Sequence, residues 1–160
     1  GMMGSGKSSI GSLVAKKLRL NFIDVDKEIE KELGISISKI FETKGEDYFR
    51  KFEEKITLKI LRINSAVVSL GGGAFINKII RKEVLKNHVS FWLNWNNEIL
   101  LKRIKNSEKR PLAFNSTENE LIDLIKKRSN IYSKALYEIK CDRISKNEIV
   151  KKVLKNYETH

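Results

Sequence analysis

Gly1-Met2-Met3-Gly4-Ser5-Gly6-Lys7-Ser8 is the stretch whose reading decides the fold. It fills every fixed position of the P-loop pattern Gly-x-x-x-x-Gly-Lys-Ser. Glycines in such a loop let successive backbone N–H groups turn toward an anion, where side chains would obstruct them. The helix that should follow adds the positive end of its dipole. Lys7 is then placed to reach β- and γ-phosphates, and the Ser8 hydroxyl to take a magnesium ligand position. Ile10, Leu13, Val14 and Leu18 fall on one helical face directly downstream, as the motif requires. The bland alternative is a chance glycine-rich turn before a helix.

A P-loop is also expected to follow a buried strand. The expectation here is that the natural protein carries several more apolar residues ahead of Gly1, forming a first, P-loop strand that is missing from this chain. Further along, Asn21-Phe22-Ile23 reads as a short extended piece ending at Asp24. Ile29 and Leu33 predict a helix stopped by Gly34, and Ile37, Ile40 and Phe41 a second one up to Gly45. Phe49, Phe52, Ile56 and Ile60 predict a longer helix. Ala66 to Leu70 is a compact run read as a buried strand, broken by Gly71-Gly72-Gly73. Ile76 to Leu85 predicts helix, Val89 to Leu93 another buried strand, and Asn97 to Ile104 helix again.

The segment at about 105–118 has no clear period, holds the lone Pro111, and is read as a loop able to act as a lid. Thr117 with Glu120 forms a capping box opening a helix to about Ala135, and Ser145 with Glu148 repeats the pattern before a last helix. Tyr137 to Cys141 reads as a strand between them. Strands alternating with helices indicate an α/β fold of the P-loop NTPase type, a parallel sheet with helices on both faces. No internal repeat or linker divides residues 1–160, so a single domain is expected. Ligands of such sheets bind beyond the carboxyl ends of the strands, which directs attention to residues just after them.

Composition narrows the function. The net charge of +12 admits nucleic acid, a membrane surface or small anions as partners. The excess is mostly lysine, 24 against 8 arginines, spread along the chain without a basic stripe interleaved with aromatics. Most lysines are therefore read as solvated surface, and neither nucleic acid nor membrane is expected as a partner. No apolar run has the length of a membrane span, and the first residues are not read as a signal peptide. A lone Cys141 cannot form an internal disulfide, so a reducing cytoplasm is the expected compartment. GTPases and motor-like ATPases need an apolar strand ending in an acid, yet the strongest strands here end in Leu70-Gly71 and Leu93-Asn94. The acids sit in Asp24-x-Asp26 instead.

Several motifs together carry a family resemblance. Gly4-Ser5-Gly6-Lys7-Ser8-Ser9, Phe22-Ile23-Asp24-Val25-Asp26, Phe49-Arg50-Lys51-Phe52-Glu53, Gly71-Gly72-Gly73, Arg110-Pro111-Leu112 and Arg128-x-x-x-Tyr132 resemble shikimate kinase, in that family's order, from the first residue to about Cys141. Each motif after the P-loop is weak alone, and the ordered set is strong. The resemblance implies transfer of the ATP γ-phosphoryl group to a hydroxyl of shikimate, in aromatic amino-acid biosynthesis, by a monomer using ATP and Mg2+. It implies that Arg50 and Arg128 clamp the substrate carboxylate, a task suited to planar guanidinium groups. It assigns Asp26 to the substrate hydroxyls and the nucleophile's proton, Asp24 to magnesium beside Ser8, and Gly72 to substrate. It assigns Arg110 to the transferred phosphoryl group and Arg103 to the adenine side, while no counterpart of the family's adenine loop aligns clearly with Asp142-Arg143-Ile144-Ser145.

Each assignment has a competitor. Arg50 could form only a surface ion pair with Glu46 or Glu54. Asp24 and Asp26 could merely cap a helix, which is compatible with a functional role. The glycine triplet could be a flexible turn, and Arg110 an exposed arginine without a role. For the whole chain, a gluconate-type or nucleoside-monophosphate kinase is the nearest alternative enzyme. A basic nucleotide- or nucleic-acid-binding module without turnover, or an inactive domain using the P-loop only for stability, is the alternative of a different class.

Overall fold

Helix α1 (Lys7–Leu18) starts directly after Gly6, whose φ of 84° is open to glycine at little cost. The computed structural model describes residues 1–105 and 116–160. After α1 come β1 (Asn21–Asp24), α2 (Val25–Leu33), α3 (Ile37–Leu61) and β2 (Ala66–Ser69). A 3₁₀ turn (Ala74–Ile76), α4 (Lys78–Asn87), β3 (Phe91–Asn94) and α5 (Asn97–Lys105) follow. The chain closes with α6 (Glu118–Tyr132), β4 (Tyr137–Lys140) and α7 (Lys146–Glu158). The expected lid loop therefore falls largely outside the described residues, and Arg110 wholly so.

The helix ends obey local chemistry. Gly34 ends α2 in the left-handed region, and its N–H bonds the Glu30 carbonyl. Both capping boxes form: Glu120 and Glu148 each accept from the backbone N–H of Thr117 and Ser145 at 2.7 Å, and the hydroxyls answer. Each such cap stabilises its helix by about 1 kcal/mol. The helix expected from Ile76 instead starts at Lys78, because the Asn77 carboxamide oxygen accepts from Ile79 and Ile80 N–H at 2.8 and 3.1 Å and fixes the first turn there. Helix α6 ends at Tyr132 rather than near Ala135. Its chain tightens into short back-bonds, Lys134 to Ile131 and Ala135 to Tyr132, before β4 begins. Strand β3 lies at 91–94, slightly later than expected, since its ladder starts where Phe91 faces Tyr137.

All strand pairing is parallel, β1 with β2 and β3 with β4. Among the described residues the strands form two pairs, β1-β2 and β3-β4. Strands β2 and β3 line a cleft of about 500 Å3 instead of bonding one another. Side chains still alternate between two faces. Val67 and Leu93 pack with Ile10 and Val14 of α1 and Ile149, Val150 and Val153 of α7. Val68 packs on the opposite side with Val25, Ile29, Phe49 and Ile56, while Trp92 joins Phe75, Leu121, Ile125 and Tyr132. Helices thus cover both faces, and the β1–α2 junction and the turn after β2 lie beside the P-loop.

The two helices expected on either side of Gly45 both form within α3 and meet at a kink there, where Gly45 takes the non-helical φ of 81° and ψ of 170°. That backbone conformation is essentially restricted to glycine and costs other residues about 1–3 kcal/mol. A Gly45→Ala variant should therefore lose about 1–3 kcal/mol in urea unfolding. A straight helix would show the opposite sign, since alanine is favoured over glycine in a helix interior by about 1 kcal/mol.

Candidate active site

The P-loop closes on itself. Gly4 and Gly6 both hold positive φ, 80° and 84°. Ser5 N–H donates to the Met2 carbonyl at 3.2 Å. Lys7 Nζ donates to the carbonyls of Gly1 and Met2, each at 3.0 Å, so the ammonium is tied to the loop that precedes it. No side chain caps α1, and no acidic residue occupies its first turn, which leaves that terminus suited to an anionic ligand. Ser8 and Ser9 are exposed on that turn. Ser5 is wholly buried, and its carbonyl accepts the Trp95 indole N–H at 2.9 Å.

The end of β1 and the first turn of α2 deliver the two acids. Asp24 Oδ1 accepts from the N–H groups of Asp26 and Lys27 at 3.1 and 3.4 Å, so Asp24 does cap α2. That cap orients Asp26. Burial pushes the Asp26 carboxyl up to about 6; Lys7 opposes the shift, and Asp24, Glu53 and Glu30 reinforce it.

The glycine turn after β2 is where these groups meet. A Cβ on Gly71 would lie 2.6 Å from Asp26 Oδ1 and 2.6 Å from Glu53 Oε1. On Gly72 it would lie 3.3 Å from the Met3 nitrogen of the P-loop and 3.8 Å from Arg128 Nη1. On Gly73 it would sit only 2.2 Å from Arg50 Nη1. The triplet is thus an approach surface of bare backbone, each position admitting a different polar side chain. The Gly72 carbonyl is also gripped from α6: the Tyr132 hydroxyl donates to it, and Arg128 Nη1 approaches it at 3.5 Å.

Arg50 is neutralised on its own helix. Nη1 donates to Glu53 Oε2 at 2.7 Å, while Nε and Nη2 donate to Glu46 Oε1 at 3.1 and 3.0 Å. The ion pair with Glu46 weighed from the sequence therefore exists, but the one with Glu54 does not, because Glu54 accepts from Asn77 Nδ2 at 2.6 Å. Glu53 is only 2% exposed, and its burial raises its carboxyl against the pull of Arg50 and Arg128. Arg103, on α5, lays its guanidinium over the Trp95 ring at 3.8 Å.

The structure therefore brings Lys7, Asp24, Asp26, Arg50, Gly72 and Arg128 into one neighbourhood, with Arg103 beside the P-loop through Trp95. Four contributors had no role in the sequence reading. Glu53 and Tyr132 stood inside quoted motifs, and only the close approach to the glycine turn gives them partners. Trp95 and Asp142, whose carboxylate accepts the Asn96 N–H at 2.8 Å, carried no sequence signal. Oxygen donors of the Ser8 hydroxyl and the two aspartates are of the hard type that magnesium prefers. Among the described residues no cluster of three or more His, Cys, Asp or Glu suggests an all-protein metal cage, which a phosphate-bound magnesium does not need.

The chain resembles known proteins over almost its whole length. The family model described as shikimate kinase matches residues 3–158. A shikimate kinase of Thermodesulfovibrio yellowstonii is 37% identical over 159 residues, covering 99% of this chain and 92% of that protein. The shikimate kinase of Bacillus subtilis is 41% identical over 157 residues, covering 93% and 81%. Among solved structures, shikimate kinase from Acinetobacter baumannii in complex with shikimate superposes with a TM-score of 0.93 at 30% identity, covering 99% and 90% of the two chains. The enzyme from Aquifex aeolicus gives 0.88 at 37% identity, covering 99% and 93%.

The raised Asp26 carboxyl has a stability consequence. Its folded value lies above the ordinary one, so the folded state holds the proton more tightly, and stability is lost as pH rises from about 4 through about 6. Asp26→Asn should therefore flatten the pH dependence of unfolding over that window. At pH 7 it should stabilise the protein by up to about 3 kcal/mol, the free energy that separates a carboxyl titrating near 4 from one titrating near 6.

Proposed function

This chain belongs to the shikimate kinase family, and we propose that it transfers the γ-phosphoryl group of ATP to a hydroxyl of shikimate with the residues gathered at the glycine turn. The observation that carries this reading is the approach of Asp26, Arg50 and Arg128 to three consecutive glycines beside the P-loop. Two guanidinium groups and one carboxylate with a raised pKa match a ring acid that carries one carboxylate and several hydroxyls.

The roles follow from the groups. The first-turn N–H groups of α1 and Lys7 hold the β- and γ-phosphates. Arg128 and Arg50 take the carboxylate; the half-exposed Glu46 is the weaker partner of Arg50 and is the one the substrate displaces, while buried Glu53 keeps the guanidinium oriented. Asp26 accepts a hydrogen bond from the reacting hydroxyl. The hydroxyl oxygen forms the new bond to the γ-phosphorus, the bond from that phosphorus to the β,γ-bridging oxygen breaks, and ADP leaves. The hydroxyl proton passes to Asp26, whose affinity for it near neutral pH suits a general base. Ser8, with Asp24 through water, would hold a magnesium ion, which supplies charge neutralisation for the phosphates. Arg110 is assigned to the same phosphates, and Arg103 to the adenine side. The enzyme is proposed to work as a monomer. Among the described residues no helix is long and apolar enough to cross a membrane. With the lone buried thiol of Cys141, this fits a cytoplasmic enzyme.

A coupled assay of ADP release with shikimate, gluconate and AMP tests the assignment. Shikimate should be turned over, and the other two should give less than about a hundredth of its kcat/KM. Arg50→Lys and Arg128→Lys should each raise KM for shikimate roughly tenfold or more, the scale of one charge-assisted hydrogen bond, with the KM for ATP little changed. Lys7→Ala should abolish turnover. Equal activity on gluconate, or unchanged turnover in Lys7→Ala, would reject the mechanism.

A further inference from the structure

Trp95 stands directly after β3, partly buried, between the two groups of nucleotide-side residues. Its indole N–H is bonded to the P-loop at the Ser5 carbonyl. Its ring face is covered by the guanidinium of Arg103, a contact at a centroid distance of 3.8 Å. The next backbone N–H, that of Asn96, is held by Asp142 of the loop after β4, so the polypeptide around the indole is fixed from a third direction.

We propose that Trp95 is a positioning residue for the nucleotide. It sets the height of the P-loop by holding the Ser5 carbonyl, and it sets the plane of Arg103 by stacking. The physical argument is one of preorganisation. An exposed arginine on a helix samples many rotamers, and ordering it on binding costs affinity. Stacked on an indole, the guanidinium keeps its plane, with a second face left to lie against a purine. The same indole is anchored to the loop that receives the phosphates, so base side and phosphate side are fixed relative to one another by one rigid ring. This inference rests on the kinase reading and on Arg103 facing the adenine side.

The test separates the two attachments of the ring. Trp95→Phe keeps a ring under Arg103 but removes the N–H donor; Trp95→Leu removes both. ATP and ADP affinities are measured calorimetrically without shikimate, so they stay readable even if shikimate proves not to be the acceptor. Trp95→Phe should weaken nucleotide binding about three- to tenfold, and Trp95→Leu about thirtyfold. In steady-state kinetics KM for ATP should rise in step, with kcat and KM for shikimate within twofold of the parent. Arg103→Ala, an exposed change that leaves the fold intact, should cost severalfold in the parent but less than twofold in Trp95→Leu. ATP should also change the indole emission of the parent and not that of Trp95→Phe, because Trp92, the other tryptophan, packs in the core against Tyr132. Unchanged nucleotide affinity in Trp95→Phe would overturn the proposal. So would an Arg103 effect independent of Trp95, or a parallel loss in both KM values, kcat and thermal stability.

Discussion

Close approach to bare backbone at Gly71, Gly72 and Gly73 is the constraint on which the rest of the site depends. A polar group can come within bonding distance of a turn only if nothing projects from it, and here four parts of the chain use that freedom. Asp26 arrives from the start of α2, Arg50 and Glu53 from α3, and Arg128 and Met3 from α6 and the P-loop. The turn itself is fixed by β2 on one side and by the Tyr132 hydroxyl on the Gly72 carbonyl on the other. A side chain at Gly71 would displace the Asp26 and Glu53 carboxylates, one at Gly73 the Arg50 guanidinium, and one at Gly72 would crowd the Met3 backbone, so the glycines set the room that these groups have.

Bringing those groups together concentrates charge where solvent is scarce. Two carboxyls, Asp26 and Glu53, share one position of the turn, and burial raises both. Arg50 neutralises Glu53 directly, whereas Lys7 acts on Asp26 through space, which leaves Asp26 the less compensated of the two. An isolated fold would gain from removing that carboxylate. Its retention fits the proposed role of Asp26 as proton acceptor, and on that reading stability and chemistry pull in opposite directions at this residue.

Much of the fold was legible because it is locally determined. Thr117 with Glu120 and Ser145 with Glu148 cap their helices by contacts three residues apart, and Gly34 stops α2 by its own conformational freedom. The apolar spacing of α1 and of the second half of α3 needed only a helical period. What failed to show was set by distant partners. The strand pattern alone does not say which strands pair, β1 with β2 and β3 with β4. In the site, the residue types were readable from motifs, whereas their partners were not. Arg50 has acids at several neighbouring positions, and only the helix's placement against α4 diverts Glu54 to Asn77 and leaves Glu53 for Arg50. Trp95 had no local signature, because its importance lies in a bond to Ser5 across the chain.

The central claim is that the glycine turn seats the guanidinium that receives the substrate carboxylate. Gly73 offers the most direct test, since its φ of −95° and ψ of −19° suit any residue and only the space is special. A methyl group there would meet Arg50 Nη1, Cζ and Nη2 at 2.2, 2.7 and 2.9 Å and must displace that side chain. Calorimetric titration of Gly73→Ala with shikimate and, separately, with ADP measures the consequence. The account predicts shikimate binding weakened about tenfold or more with ADP affinity and melting temperature nearly unchanged; shikimate affinity equal to that of the parent would contradict it.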